Sequence, residues 1–261
     1  MTAKIINGKK IADNILNNLK SKINNLKQKP GLALVLVGSN PASEIYVNFK
    51  EKTCKEVGFY CERFNLDETI GKFDLLKLIN DLNQKTDIHG ILVQLPLPKH
   101  INEHLIIHSI LPHKDVDGFT PFTTLAPATA RAVLHLIESS GITIEGKNAV
   151  IVGRSNIVGK PTAMMLLEKN ATVTICHSKT KNLAEHTKKA DILVAAVGKP
   201  KLITKYMVKE GAVVIDVGIN RINGKIIGDV DFENVKEIAG YITPVPGGVG
   251  PMTIAMLMEN T

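Results

Sequence analysis

Short apolar runs alternate along the chain with segments of helical periodicity, and this alternation is the strongest constraint on the fold. Strands that are apolar on both faces are typical of parallel sheets, and parallel strands need crossover helices between them. The pattern therefore predicts an α/β fold with helices outside parallel sheets. Buried strands are predicted at Leu32–Val37, Gly90–Gln94, Asn148–Val152, Ala171–Cys176, Ile192–Val197 and Ala212–Val217.

The helices predicted between these strands carry an apolar stripe or a recognisable end. Ile11–Leu26 has Ile or Leu at intervals of three or four residues. Pro41–Val57 has Pro in its first turn and Gly58 directly after its end, positions that these residue types favour. The Asn-Gly pair within Ile222–Ile226 predicts a hairpin with a type I′ turn. Other helices are predicted at Phe73–Asn83, Thr129–Ser139, Lys160–Lys169 and Asn182–Ala190.

One segment interrupts the alternation and indicates a domain boundary. Leu111–Pro127 is rich in Pro, Asp, Gly and Thr, which is typical of a connection rather than of a helix or strand. We therefore predict two α/β lobes, residues 1–120 and 121–261, with a cleft between them. Ligands of such folds bind outside the carboxyl ends of the parallel strands.

The charge balance limits the classes of partner. The net charge of +7 is compatible with nucleic acid, an anionic membrane surface or an anionic small molecule. No basic stretch has interleaved aromatics, and no apolar run has the roughly 20 residues of a membrane span, so neither nucleic acid nor membrane is expected as a partner. The N-terminus has no long apolar stretch typical of a secretory signal. Three Cys without metal-ligand spacing predict reduced thiols, a cytoplasmic protein and no metal site.

A candidate nucleotide-binding turn follows the strand predicted at 148–152. Gly153, Arg154, Ser155 and Gly159 lie in a strand–turn–helix pattern in which backbone N–H groups and the helix dipole meet a pyrophosphate. The match to G-x-G-x-x-G is imperfect, because Ser155 replaces the second Gly and the last Gly comes one residue late. An ordinary βα turn remains an alternative for this segment.

The end of the next predicted strand favours NADP over NAD. An NAD site usually has Asp or Glu here to bind the ribose 2′-hydroxyl, whereas this chain has His177, Ser178, Lys179 and Thr180. Together with Arg154, a hydroxyl and an ammonium would attract a 2′-phosphate that an acid would repel. The alternative is that the two cations are simply solvated.

A second group of candidate residues lies in the first lobe. Tyr46 and Lys50 are four residues apart, so they share one helix face, although such pairs are more often solvent-exposed. Gln94 ends a buried strand, and Asp117 lies in the connection after Asp115. A partly desolvated Lys has a lowered pKa and can transfer protons near neutrality. A Gln can orient it without adding charge, and an Asp can accept two hydrogen bonds from an amino-pyrimidinone edge.

Six segments of the chain resemble the family of bifunctional methylenetetrahydrofolate dehydrogenase/methenyltetrahydrofolate cyclohydrolases. The most specific is Pro-Val-Pro-Gly-Gly-Val-Gly-Pro at residues 244–251. The segments occur in the family's order over nearly the whole chain, at Val37–Val47, Gly90–Pro98, Lys114–Phe119, Gly153–Pro161, Val217–Arg221 and Tyr241–Thr253.

The resemblance implies roles for the residues of the first lobe. Lys50 would be the catalytic Lys of the cyclohydrolase step, and Gln94 would hydrogen-bond to it and tune it. Tyr46 would stack on the folate ring, and Asp117 would anchor its pterin edge.

It implies further roles in the second lobe. Gly153, Arg154 and Ser155 would bind the phosphates of NADP, with Ser178 near the 2′-phosphate and Ile219 at the nicotinamide. Pro244, Gly247 and Gly248 would belong to a loop that approaches the substrate closely, where Gly allows tight backbone packing.

The implied reaction has two steps. A hydride passes from the methylene carbon of 5,10-methylenetetrahydrofolate to NADP, and water then opens the methenyl product to 10-formyltetrahydrofolate. A homodimer acting on tetrahydrofolates, including polyglutamylated forms, is expected from the family. The segment after Phe119 is several residues shorter than is usual in the family. A dehydrogenase-only variant is therefore kept as one alternative. A folate- or nucleotide-binding protein without turnover is kept as a second alternative, from a different class.

Overall fold

The computed structural model describes residues 2–120 and 122–261 of the chain. The chain folds into two compact units, and each is made of segments that are separate in the sequence. We call residues 13–128 with 254–261 the front unit, and residues 1–12 with 129–253 the rear unit. The predicted domain boundary at residue 120 and the predicted cleft stay predictions.

Nine α-helices and eleven strands are present in residues 2–120 and 122–261. The strands are β1 (Lys4–Ile5), β2 (Gly31–Val37), β3 (Tyr60–Leu66), β4 (Gly90–Val93), β5 (Asn148–Val152), β6 (Thr172–Cys176), β7 (Ile192–Ala195), β8 (Val213–Asp216), β9 (Asn220–Ile222), β10 (Lys225–Ile227) and β11 (Tyr241–Ile242). The helices are α1 (Gly8–Asn24), α2 (Pro41–Val57), α3 (Lys72–Gln84), α4 (Glu103–His108), α5 (Ala128–Ser139), α6 (Gly159–Glu168), α7 (Leu183–Thr187), α8 (Phe232–Val235) and α9 (Val249–Asn260). Within the described part of the chain, no helix is long and apolar enough to span a lipid bilayer.

The front unit is built on a parallel three-stranded sheet in the order β3-β2-β4. Every residue of the central strand β2 is buried, as its apolar run predicts. Leu75, Ile79 and Leu82 of α3 are in the same core cluster as residues of β2 and β4. Because each residue of β2 is enclosed, burial on both faces holds this sheet in register.

Helix α2 of the front unit has the predicted bounds and clear signals at both ends. The Asn40 side chain accepts N–H bonds from Ala42 and Ser43, which satisfies donors that a helix start leaves free. Gly58 ends the helix in the left-handed conformation, with φ of 93°. These two ends fix where the residues of α2 project.

The rear unit contains a six-stranded sheet in the order β1-β11-β8-β7-β5-β6, and all of its strand pairs are parallel. From β5 the chain goes first to β6 on one side and then to β7 on the other. The sheet therefore reverses its order between β5 and β7, and ligands of open α/β sheets bind at such a point. The predicted α/β fold class with a Rossmann-like rear lobe is confirmed.

Several predicted elements differ from the structure for local reasons. Helix α1 ends at Asn24, so Leu26 lies outside it and is exposed. Helix α7 ends at Thr187, before the predicted residue 190, and it begins one residue after the predicted Asn182, because Asn182 has a φ of 51° that a right-handed helix excludes. Strand β3 was not predicted, since its residues form no continuous apolar run and are mostly half-buried. The predicted hairpin is confirmed as β9 and β10.

Candidate functional site

Lys50 of α2 is buried in the front unit, with 8% of its surface exposed. Its Nζ donates a hydrogen bond to Oε1 of Gln94 over 3.0 Å. Gln94 directly follows β4; its backbone N–H donates to the Val35 carbonyl, and its Nε2 donates to the Leu95 carbonyl at 2.8 Å. Since the amide is held from both sides, its oxygen stays directed at Lys50.

Asp117 reaches the same place through a turn that begins beside β4. A bridge pairs Ile91 of β4 with Asp115, and the Gly118 N–H donates to the Asp115 carbonyl at 3.3 Å, so Asp117 lies within the turn. Burial lowers the pKa of Lys50, and the charge of Asp117 raises it by a smaller amount. Burial raises the pKa of Asp117, which Lys50 in turn lowers by a smaller amount. The structure thus brings Lys50, Gln94 and Asp117 together in a poorly solvated cluster.

Asp115 supports this cluster, although the sequence analysis gave it no role. Its carboxylate is 1% exposed; Oδ1 accepts the N–H of Gly118 at 3.0 Å, and Oδ2 accepts that of Thr120 at 2.6 Å. Gly118 has a φ of 74°, and a Cβ there would overlap the backbone of Ala126. The Asp-x-x-Gly spacing, which is typical of a turn closed by an Asp side chain, was the available signal.

Tyr46 lies one helical turn before Lys50 on the same side of α2 and is half-buried. Its place on this face agrees with the spacing in the sequence, but its stacking role stays a prediction.

The turn after β5 in the rear unit is closely packed. Gly153 has a φ of 130°, and a Cβ there would overlap the carbonyl oxygen of Ala196. A Cβ on Gly159 would overlap the carbonyl oxygen of Gly153. The Ser155 hydroxyl oxygen accepts N–H bonds from Val158 and Gly159 at the start of α6. The turn lies at the order reversal of the sheet and fits a dinucleotide pyrophosphate, whereas the direct contact of Ser155 with phosphate stays a prediction.

The segment after β6 has no carboxylate from residue 177 to residue 184. The His177 N–H donates to the Thr180 hydroxyl at 2.8 Å, and the Lys179 N–H donates to His177 Nδ1 at 3.2 Å. Ser178 and Lys179 are exposed on this turn, and Arg154 is exposed on the turn after β5. This set of donors fits a dinucleotide with a 2′-phosphate.

The remaining predicted residues occupy two loops of the rear unit. Ile219 is exposed and lies three residues after the last residue of β8. Gly247 has a φ of 107°, and a Cβ on Gly248 would lie 2.6 Å from the carbonyl oxygen of Pro244. The close packing expected of this Gly-rich loop is therefore present, whereas its contact with substrate stays a prediction. In the described residues, no group of three or more His, Cys, Asp or Glu is arranged to hold a metal ion.

Two family models match the chain. Residues 6–117 match the catalytic domain, and residues 127–261 the NAD(P)-binding domain, of tetrahydrofolate dehydrogenase/cyclohydrolase. The chain belongs to the tetrahydrofolate dehydrogenase/cyclohydrolase family. This membership confirms the resemblance inferred from the motifs, and it places strands β5 to β11 of the rear unit in an NAD(P)-binding domain.

Relatives within the family are similar over their full length. The bifunctional protein FolD of Moorella thermoacetica is 55% identical, covering 100% of this chain and 98% of its own. The crystal structure of the bifunctional enzyme FolD of Campylobacter jejuni is 50% identical, with a TM-score of 0.97, over 99% of this chain and 96% of its own. The FolD structure of Trypanosoma brucei, complexed with NADP cofactor and inhibitor, is 35% identical, with a TM-score of 0.96, over 100% of this chain and 96% of its own.

Replacing Asp117 by Asn is expected to lower the pKa of Lys50 further. The negative charge of Asp117 opposes the effect of burial on this ammonium, and the substitution removes that charge. The ¹³Cε shift of Lys50 in the folate-free protein, followed against pH, reports the change. It should titrate at lower pH in Asp117→Asn than in the wild type. Asp81→Asn, an exposed carboxylate on α3, is the control, and an unchanged midpoint in Asp117→Asn contradicts the assigned contact.

Proposed function

We propose that this chain is a bifunctional enzyme of folate one-carbon metabolism. It oxidises 5,10-methylenetetrahydrofolate with NADP and hydrolyses the 5,10-methenyl product to 10-formyltetrahydrofolate. The observation that carries the proposal is the buried Lys50 ammonium, hydrogen-bonded to Gln94 beside Asp117, in a chain of this family. The reduced Cys54, Cys61 and Cys176 support a cytoplasmic location.

The rear unit would hold the cofactor with residues of the turns after β5 and β6. The backbone around Gly153, with Arg154 and Ser155, would bind the cofactor phosphates, and Ser178 would lie near the 2′-phosphate. Ile219 would lie against the nicotinamide. When bound, NADP supplies the acceptor for the hydride that leaves the methylene carbon.

The front unit would hold the pterin ring. The Asp117 carboxylate would accept two N–H bonds from its amino-pyrimidinone edge, and Tyr46 would stack on the ring. Pro244, Gly247 and Gly248 of the rear unit would add backbone contacts to the substrate. Orientation is the main requirement of the oxidation, because the methylene bridge loses only a hydride and no proton.

Lys50 would act first as the general base and then as the general acid of the hydrolysis. Water adds to the cationic methenyl carbon, and a neutral amine can take the proton that this water loses. Lys50 can then return that proton to the ring nitrogen as the bond from the carbon to N5 breaks. The hydroxyl of the water adduct loses its remaining proton to solvent in the same collapse, which leaves the formyl group on N10 and releases one proton overall. The lowered pKa of Lys50 supports both roles, because it allows the amine and the ammonium to interchange nearer neutral pH.

Lys50→Ala is expected to slow the cyclohydrolase step by roughly 10²- to 10⁴-fold, the usual contribution of a general acid–base group. Purified protein is supplied with methylenetetrahydrofolate and NADP, and NADPH formation and methenyl absorbance are followed together. Lys52→Ala on the same helix is the control, because Lys52 is mostly exposed.

The same assay tests the whole proposal. Wild-type protein should form NADPH and then show decay of the methenyl absorbance. Methenyl that accumulates without decay indicates the dehydrogenase-only alternative. Folate binding with neither signal indicates a binding protein and refutes the proposed enzyme.

Ser178→Asp is expected to weaken the preference for NADP over NAD. A carboxylate after β6 repels a 2′-phosphate and accepts a bond from a 2′-hydroxyl, so the ratio of kcat/KM for NADP over NAD should fall at least about tenfold. Ser21→Asp gives the same charge change on the exposed face of α1 and serves as the control. A ratio that is equal in the wild type and Ser178→Asp argues against a 2′-phosphate at this turn.

We also infer that two copies of the chain form a homodimer through the rear unit. In the sheet order β6 stands at one end, and α6 packs on it. Met164 and Leu167 of α6 and Ile175 of β6 are all exposed. An open strand edge beside exposed apolar side chains is a typical interface for a second copy.

Leu167→Glu is expected to convert the dimer into monomers, because it places a charge in this apolar patch. Sedimentation velocity measures the change, with the similarly exposed Leu105→Glu of α4 as the control. A wild-type protein that is monomeric, or a Leu167→Glu variant that stays dimeric, excludes this interface.

A further inference from the structure

Asp229 is a fully buried carboxylate of the rear unit that ties three segments together. Its Oδ2 accepts the N–H groups of Val197 and Gly198, which follow β7, at 2.7 and 2.9 Å. Its Oδ1 accepts the side-chain N–H of Asn220, at the start of β9, at 3.0 Å. Charge-assisted bonds of this kind are stronger than bonds between neutral groups, so the carboxylate fixes these loops firmly.

The segment after β7 also packs directly against the proposed nucleotide-binding turn. The Ala196 N–H donates to the Val152 carbonyl at 2.8 Å, and the Ala196 carbonyl oxygen occupies the space where Gly153 would carry a Cβ. Val197 and Gly198 come next along the chain. Because Asp229 fixes their amides, it also sets the position of the carbonyl against which Gly153 packs.

A second buried carboxylate holds Asp229 in place. Asp216, the last residue of β8, accepts the N–H groups of Asp229, Val230 and Gly218 at 2.9 Å each. Burial raises its pKa to about 6, so at neutral pH it is mostly ionised and accepts all three bonds. A Cβ on Gly218 would overlap the Asp229 carboxylate, so the chain at residue 218 packs directly against this acid.

We propose that Asp229 is a positioning residue of the dinucleotide site, which holds the 196–198 segment against the Gly153 turn, and that Asp216 holds Asp229. The inference rests on the proposed function, since it assumes that the Gly153 turn binds NADP. Asp229 acts through the backbone and makes no contact with the cofactor. Its replacement should therefore weaken dinucleotide binding without a change of preference between NADP and NAD.

Asp229→Asn keeps the shape of the side chain but replaces one acceptor oxygen by an N–H donor. Both oxygens of Asp229 accept N–H groups, so the amide loses one of these contacts whichever way it turns. We expect the Kd for NADPH, measured by calorimetry without folate, to rise roughly tenfold or more. Hydrogen exchange at residues 197 and 198 should become faster, and the ratio of the Kd values for NADPH and NADH should stay at the wild-type value. An unchanged Kd, or protection of these amides at the wild-type level, overturns the proposal.

Asp191→Asn is the matched control. Asp191 also accepts a backbone N–H, that of Asn148 at 2.9 Å, but at the amino end of the same sheet. The Asp191→Asn variant should bind NADPH with the wild-type Kd. If both variants weaken binding equally, or if Asp229→Asn loses the cyclohydrolase rate with added methenyl substrate as severely as it loses NADPH affinity, the effect is general destabilisation and the proposal is wrong.

A milder variant covers the case in which Asp229→Asn does not fold. Asn220→Ala removes one donor to Asp229 and leaves the carboxylate in place. We expect a smaller increase in the NADPH Kd, about twofold to fivefold. An unchanged Kd overturns the proposal. If the wild-type protein binds no dinucleotide, the proposed function itself is wrong. If the wild-type protein binds NADPH and Asp229→Asn binds it equally well, only the positioning role of Asp229 is wrong.

Discussion

The desolvated ammonium of Lys50 is the interaction on which the chemistry of the front unit depends. A buried charge is costly unless it is hydrogen-bonded, and here the Gln94 oxygen supplies the bond while Asp117 supplies an opposite charge. Gln94 adds no charge of its own, so the pKa of Lys50 stays lowered. A second carboxylate at the position of Gln94 would give the ammonium full compensation and hold it in its protonated form.

The rear unit uses buried charge for a different purpose. Asp216 and Asp229 have their acceptor oxygens occupied by N–H groups of loops that follow β7, β8 and β10. Because each carboxylate serves several donors at once, the loops share one arrangement and cannot move independently. Such shared acceptors give irregular backbone the rigidity that a sheet obtains from its ladder of hydrogen bonds.

The sequence predicted those parts of the molecule whose signals are local. Helix α2 was placed to the residue because Pro41 and Gly58 mark its ends, and the buried strands β2, β4, β7 and β8 were predicted from their apolar runs. Strand β3 was missed because it is half-buried and carries charged and polar side chains, so neither face stands out. The role of Asp229 was missed because its backbone donors are about thirty residues away and only the folded chain brings them to it. The role of Asp115 was within reach of the sequence, since its donors are local and the Asp-x-x-Gly spacing indicates them.

The close packing of the turn after β5 distinguishes two parts of the proposed dinucleotide site, the glycines of the turn and the exposed side chains around it. Gly153 and Gly159 leave no room for a side chain at their own positions, so at these two residues the turn can offer a bound group only main-chain atoms. Arg154, Ser178 and Lys179, which we propose to select NADP over NAD, are exposed. A substitution at these three positions can therefore change the charge offered to the cofactor without disturbing the packing of the turn, whereas a substitution at either glycine cannot.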